Sequence, residues 1–269
     1  MEANNSCEIS RLPEDCLSRI ISLTSLRDTC CCSAVSTSFL SAAIADVVWG
    51  NFLPTDIDNI LSKIPNRPVF ASKKDLYYHL SNHGVIVDDG KMSFRLDRSS
   101  SAKIYILSAS RAVGIIWAWD PRYWQCVPNN NSMFSEVAQL IVVWWFDIFA
   151  NFRCKNLSPK TKYGAYFIFK LEDDTEGFDR PLEASIYFHH VESHHRICLE
   201  ARNGMSRQNP NNQIRYPQVR DDQWSEVEIG EFYNVGEEDD EVGVKVHETR
   251  ELGPKRGLIF NGIEFRPKI

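Results

Sequence analysis

LPEDCLSRIISLTSLRDTCCCSAVSTSFLSAAIADVVWGNFL, residues 12–53, sets apolar side chains three and four positions apart, the spacing of one face of a helix. From about Met92 the texture changes. Short alternating apolar and aromatic runs stand between turn residues, with alternation read in Ala165-Tyr166-Phe167-Ile168-Phe169-Lys170 and Val242-Gly243-Val244-Lys245-Val246-His247, the signature of an antiparallel β domain. The chain therefore reads as α+β by domains: a small three-helix N-terminal module, then a mainly antiparallel β-sandwich of jelly-roll type. The expected boundaries are a helical module over 1–54, a helical connector over 55–90 and the β domain over 91–269. Nine strands are expected, at Ser93–Leu96, Lys103–Leu107, Leu140–Ile148, Tyr163–Leu171, Ala184–His190, Ile197–Ala201, Ser225–Ile229, Val242–Thr249 and Gly257–Arg266. A helical piece too small to be an enzyme, joined to a larger sheet domain, suggests an adaptor.

Within the helical module, Pro13 suits a first helical position and Glu14 and Asp15 favour the positive end of the helix dipole. Cys16, Leu17, Ile20 and Ile21 are expected on one face. A second helix begins at Ser25, with Asp28 completing a capping-box variant, and carries Cys31, Ala34, Val35 and Phe39; a third segment carries Ile44, Val47, Val48, Trp49 and Phe52. Three such helices bury too little surface to be comfortable alone and need a partner. In the connector, Pro54, Pro65 and Pro68 exclude one continuous helix, while Ser72 caps a short one over 73–80.

Composition narrows the function classes. With 269 residues, 43% of them hydrophobic, the chain can bury a substantial core. The longest apolar run, Leu140–Ala150, is interrupted by Asp147 and falls far short of the ~20 residues of a membrane span. The polar start MEANNSCEIS lacks the texture of a secretory signal, so a cytoplasmic and nuclear location is expected. The eight cysteines include the consecutive Cys30, Cys31 and Cys32 and follow no secreted-scaffold spacing; most read as small buried residues in a reducing compartment. A net charge of −6 argues against a nucleic-acid partner, and the acidic run Gly236–Glu241 reads as a solvated loop.

Catalytic and metal constellations are not evident. His189, His190, His194, His195 and Cys198 read as a solvated hairpin, since neighbours along a strand point to opposite faces. Neither a nucleophile elbow nor a glycine-rich phosphate loop is present, and the reading needs no cofactor. The aromatic run is different. Trp117, Trp119, Tyr123 and Trp124 crowd around Asp120 and Pro121. Rings stack on the apolar faces of sugars while polar neighbours take hydroxyls, so this segment is a candidate carbohydrate site, with core packing as the alternative.

Two resemblances join these readings. Leu12-Pro13-Glu14-Asp15, Ile20-Ile21, Ser33-Ala34-Val35-Ser36 and Trp49 resemble the F-box, which implies docking to a Skp-type adaptor and a cullin ubiquitin ligase through Leu12, Pro13, Leu17, Ile20, Ile21, Val35 and Trp49. Cys31 and Cys32 depart from the pair that relatives often carry there. Ile115–Trp124, Ala138–Leu140 leading to Trp145–Ile148, Leu157–Tyr163, Ile229–Asn234 and Gly257–Pro267 resemble the phloem protein 2 domain shared with the tobacco-type lectin. That resemblance implies sugar binding by Trp117 and Trp124, with Glu231 and Asn234 as hydroxyl partners. Trp119 departs from the family's small or polar residue. The implied function is a substrate receptor, not itself an enzyme, that recognises an N-acetylglucosamine-containing glycan on a target protein. The alternatives are a stand-alone phloem-type lectin and an F-box protein whose sandwich binds a protein surface.

Overall fold

The computed structural model of the protein describes residues 9, 12–65, 67–200, 214–237 and 239–268. Cys7, Ala201, Glu238 and Ile269, each part of an expectation above, lie outside them. The chain divides into two compact units, one running to Gly84 and taking in Arg95–Ser101, the other made of Val85–Phe94 and Ala102 onward. The expected connector is thus not a separate body. Its helices belong to the first unit.

That unit holds α1 (Glu14–Ile21), α2 (Leu26–Cys32), α3 (Thr37–Ile44), α4 (Asp46–Gly50), α5 (Ile57–Ser62) and α6 (Lys73–Asn82). The capping residues behave as read. The Asp28 N–H donates to Ser25 Oγ at 3.1 Å while that hydroxyl donates to the Asp28 carboxylate at 2.7 Å, so serine caps the helix and aspartate fixes its hydroxyl. Ser72 and Asp75 repeat the arrangement at α6. Pro13 sits at the N-cap, one position before the helix.

The second expected helix ends early, at Cys32. Ser33 Oγ donates to the Cys30 carbonyl at 2.7 Å and Ser36 Oγ accepts from the Phe39 N–H at 3.3 Å, so hydroxyl bonds to backbone end one helix and start the next. An extended Ala45 splits the third expected segment into α3 and α4. Leu17, Ile21, Ala42, Ala43, Val48 and Trp49 form the interior. Trp49 is locked there: its indole N–H donates to the Ala43 carbonyl at 2.8 Å and its ring lies 5.4 Å from that of Tyr77 on α6.

The second unit is a two-sheet sandwich. Its strands are β1 (Val85–Val87), β2 (Met92–Leu96, whose last two residues group with the first unit), β3 (Lys103–Ser108), β4 (Gly114–Ile115), β5 (Trp124–Pro128), β6 (Glu136–Leu140), β7 (Phe146–Arg153) and β8 (Thr161–Glu176). They continue with β9 (Leu182–Phe188), β10 (Val191–Ile197), β11 (Ile214–Arg215), β12 (Gln218–Val219), β13 (Ser225–Asn234), β14 (Glu241–Glu248) and β15 (Arg256–Pro267). One sheet runs β1-β2-β3-β15-β8-β13-β12, with β6 also on β15 and β5 on β6; the other runs β11-β10-β9-β14-β7-β4. Pairing is mainly antiparallel, with β10 and β11 parallel. The alternation in β14 buries Val242, Val244 and Val246, whereas β8 is buried on both faces from Tyr163 to Phe169, so the alternation expected there is not seen. Phe152 of one sheet stacks on Phe265 of the other, centroids 5.1 Å apart, and Phe188 meets Phe232 at 5.2 Å.

Four further expectations change, the first being that the strand expected at Ile197–Ala201 is strand only at Ile197, the end of β10, among the described residues. The run Leu140–Ile148 is not one strand: the chain leaves the first sheet after Leu140, crosses at 141–145, and enters the second at Phe146. His189 and His190 form the two-residue turn between β9 and β10, with φ of 47° and 61°, rather than the end of a strand. Cysteine burial is also overstated by composition, because Cys16, Cys30, Cys31 and Cys126 are exposed while Cys154 and Cys198 are buried. Gly262 marks a register shift in β15; its φ is 155°, and a Cβ there would meet the Leu107 carbonyl oxygen at 2.0 Å.

Candidate ring platform and apolar docking face

The segment 116–123 crosses from β4 in one sheet to β5 in the other. It is pinned at both ends: the Ile116 N–H donates to the Asp147 carbonyl at 3.0 Å, and the Ile141 N–H donates to that of Tyr123 at 2.8 Å. Inside it, the Asp120 carboxylate accepts from the Arg122 backbone N–H at 3.0 Å and from its guanidinium at 2.6 Å. Those Arg122 bonds hold the Asp120 carboxyl below the usual carboxylate range. Trp117 takes a φ of 70°, an uncommon conformation for a bulky residue and of the kind that clusters at binding sites.

The turn fans its rings outward. Trp117 lies 5.3 Å from Trp119 and 5.9 Å from Tyr123, and the Arg122 guanidinium sits over the Tyr123 ring at 5.6 Å. Trp117 is exposed and Trp119 is 71% exposed, so both offer faces to a ligand. Trp124 does not. Its side chain is only 4% exposed and packs toward Phe146 with centroids 6.3 Å apart. The period of two explains why: as the first residue of β5 it turns into the sandwich while Gln125 turns out. The sequence expectation of an exposed Trp124 is therefore corrected.

Glu231 and Asn234 are not brought to these rings. Trp124 pairs with Leu140, which pairs with Leu258 of β15, whereas Glu231 pairs with Gly164, which pairs with Arg266. Leu258 and Arg266 are eight residues apart along β15, roughly 26 Å at the rise of a strand. Asn234 is fully buried; its amide donates to the Cys154 and Ser158 carbonyls at 3.1 and 2.9 Å while its carbonyl oxygen accepts from the Gly236 N–H at 3.1 Å. It is a loop staple. Glu231 is held by Lys162 and Lys268, which take its carboxyl down to about 2.

Sequence reasoning missed a second pair of rings. Trp144 and Trp145, in the crossing segment after β6, are both exposed. Val143 anchors them through paired backbone bonds with Lys255, at 2.9 and 2.8 Å. Lys255 is itself buried and bonds Glu248 at 2.8 Å. The signal was available: Val142-Val143-Trp144-Trp145 breaks the strict alternation expected of a strand.

In the first unit the burial map divides the expected docking residues. Leu12, Pro13, Ile20 and Val35 are exposed, and Val35 is 66% open. Leu17, Ile21 and Trp49 instead fill the unit's own core, which corrects their assignment as contact residues. The apolar stripe on α1 is thus split, with Leu17 and Ile21 inward and Cys16 and Ile20 outward. Leu23, Leu40, Ile44 and Val47 add to the outer set and were not anticipated as contacts. These exposed large apolar residues are the unit's candidates for contact with another protein.

Comparison with known proteins agrees with this division. Residues 102–267 match the family model for phloem protein 2, and residues 9–49 match that of the F-box domain. The chain is 40% identical over 268 residues to the F-box protein PP2-B10 of Arabidopsis thaliana, covering 98% of this chain and 96% of that one. It is 40% identical over 259 residues to the F-box protein At2g02240 of the same plant, covering 95% and 79%. Identity to the Arabidopsis F-box protein SKIP3 is 37% over 266 residues, covering 97% and 89%.

Proposed function

The chain belongs to the F-box proteins that carry a phloem protein 2 domain, and from that membership we propose that it is the substrate receptor of a Skp-cullin ubiquitin ligase, its sandwich capturing an N-acetylglucosamine-containing glycan on the target. The observation that carries the reading is that each unit leaves large apolar side chains exposed as a candidate binding surface: Leu12, Ile20 and Val35 on the first, and Trp117, Trp119, Trp144 and Trp145 on the second. The first surface buries against the adaptor. The second stacks on sugar faces, with Arg122, Asp120 and the indole N–H groups available to hydroxyls.

The protein's contribution is proximity: a captured target is held near the transfer machinery, and no chemical step falls to the receptor. It acts in the cytoplasm and nucleus, where such ligases work. The burial of Trp124 favours a second reading, a sandwich that binds a protein surface through the same rings. A glycan array probed with the full chain, in parallel with a pull-down on a Skp-type adaptor, separates the two. Adaptor retention with sugar binding supports the receptor-lectin reading; adaptor retention with no glycan bound transfers the rings to protein recognition.

A further inference from the structure

At one end of the six-stranded sheet a cavity of about 430 Å³ opens between the end of β14, the start of β9, the end of β10 and the 249–255 loop. That is the size of a small-molecule site. Three of its lining residues form one cross-strand row: His247 of β14 stands opposite Glu183 of β9, and Glu183 opposite Arg196 of β10. On its other side His247 stands opposite Asp147 of β7. The neighbours Val246, Ala184 and Ile148 are buried between the sheets, so the period of two puts this row on the outer face.

The row holds hydrogen-bonding capacity that the protein does not use. His247 Nδ1 and Asp147 Oδ1 are buried, and neither has a hydrogen-bond partner among the described residues. A buried polar atom left alone costs free energy, and a ligand hydroxyl entering the cavity beside the imidazole supplies a partner. Burial holds His247 below the usual histidine range, so at neutral pH its ring is uncharged and has one nitrogen that donates and one that accepts, as a hydroxyl group needs.

The remaining lining favours a neutral ligand with apolar faces. Charges around the cavity are matched across it: Arg180 with Glu251 at 3.2 Å, Arg196 with Glu183 at 3.8 Å and Lys255 with Glu248 at 2.8 Å. Exposed rings border it. Val143 is bridged to Lys255 and Phe146 pairs with Glu248, and both of those partners line the cavity, so the intervening Trp144 and Trp145 are carried on its rim. Polar groups in a recess with indole rings at its edge suit a sugar, which offers hydroxyls and C–H faces together.

We propose that this cavity is a carbohydrate subsite that takes the end of a neutral oligosaccharide, its hydroxyls meeting His247 and Glu183 while the adjoining sugar faces stack on Trp144 and Trp145. The inference rests on the glycan reading above and adds to it a recess separate from the Trp117 and Trp119 rings.

The test titrates the full chain with the N-acetylglucosamine trimer, reading affinity by calorimetry and the imidazole signals of His247 by NMR. The His247 signals should shift as sugar is added. Affinity should fall at least tenfold in His247→Ala and in Glu183→Gln, with the thermal midpoint kept. Trp119→Ala should weaken binding and still show the His247 shift. Should His247→Ala fail to fold, Glu183→Gln and the ring signals of the parent decide. A parent that binds the trimer with unmoved His247 signals, or a Glu183→Gln protein that binds as the parent does, overturns the subsite and leaves the glycan reading standing. A parent that binds neither the trimer nor any sugar on a glycan array overturns both.

Discussion

Trp119 and Trp124 are five residues apart and face opposite fates. Trp124→Ala is expected to cost roughly 3–5 kcal/mol of stability, because it empties a site beside Phe146. Trp119→Ala should leave the unfolding midpoint unchanged and weaken ligand binding, since its ring is 71% exposed. Urea titration and a binding isotherm on the same preparations check both; an unstable Trp119→Ala or a stable Trp124→Ala would reverse the assignment. The sequence showed that this segment was rich in rings but not which of them point outward. That depends on where β5 begins, and the turn at Asp120 to Tyr123 sets it through backbone bonds that composition does not reveal. Asn234 shows the same limit: its motif position suggested a hydroxyl partner, while its three bonds to loop backbone could be seen only in three dimensions.

Between single residues and the whole chain, the strands β13, β8 and β15 carry a charge cluster that periodicity could not forecast. Glu264 is fully buried between Arg220, at 3.1 Å, and Arg266, at 3.0 Å, and both arginines also bond Glu226. The Arg266 guanidinium lies 3.6 Å from the Tyr166 ring centre. Burial works against the charge on Glu226, but Arg266 and Arg220 outweigh it and hold the carboxyl below its usual range. Glu264→Ala should therefore destabilise by about 3 kcal/mol or more, because it leaves buried guanidinium charge uncompensated. A loss under about 1 kcal/mol in denaturant titration would show that the cluster is well solvated.

The sign of the pH response follows from Glu226 and from Glu231, which Lys162 and Lys268 hold. A carboxyl depressed in the folded state contributes stability that is present above its unfolded value, about 4.3, and is lost as pH falls through the folded value, which for Glu231 is about 2. The denaturation midpoint should decline as pH drops from 4.5 towards 2. A flat midpoint over that interval would count against the depressed carboxyls. Elements with a local signature were legible: the caps at Ser25 and Ser72, and the alternation of β14. The split of 140–148 between sheets was marked only by the broken alternation at 142–145, which does not show that the chain passes from one sheet to the other there. Ser25→Ala should cost about 1 kcal/mol by removing the α2 cap, read as a shift in thermal midpoint.

At the scale of the molecule, the order of a helical module before a sheet domain was plain from the change in texture near Met92, and the two family matches fall on either side of it. The extent of the helical unit was less plain, since α5 and α6 join it through packing such as Trp49 against Tyr77, and proline-rich sequence masks that association. Which apolar residues dock and which fill the core was likewise undecided on paper: Leu17 and Ile20 look alike in the pattern, and only the packing of α1 distinguishes them. In the proposed function one chain links an adaptor to a glycan. Retention of a Skp-type adaptor on immobilised N-acetylglucosamine oligomers, with and without the full chain, tests it directly. The adaptor should be retained only when the chain is present, and retention should fail with Ile20→Asp and, separately, with a Trp119→Ala, Trp144→Ala double variant. A chain that binds the adaptor in solution yet brings none to the sugar would contradict the claim.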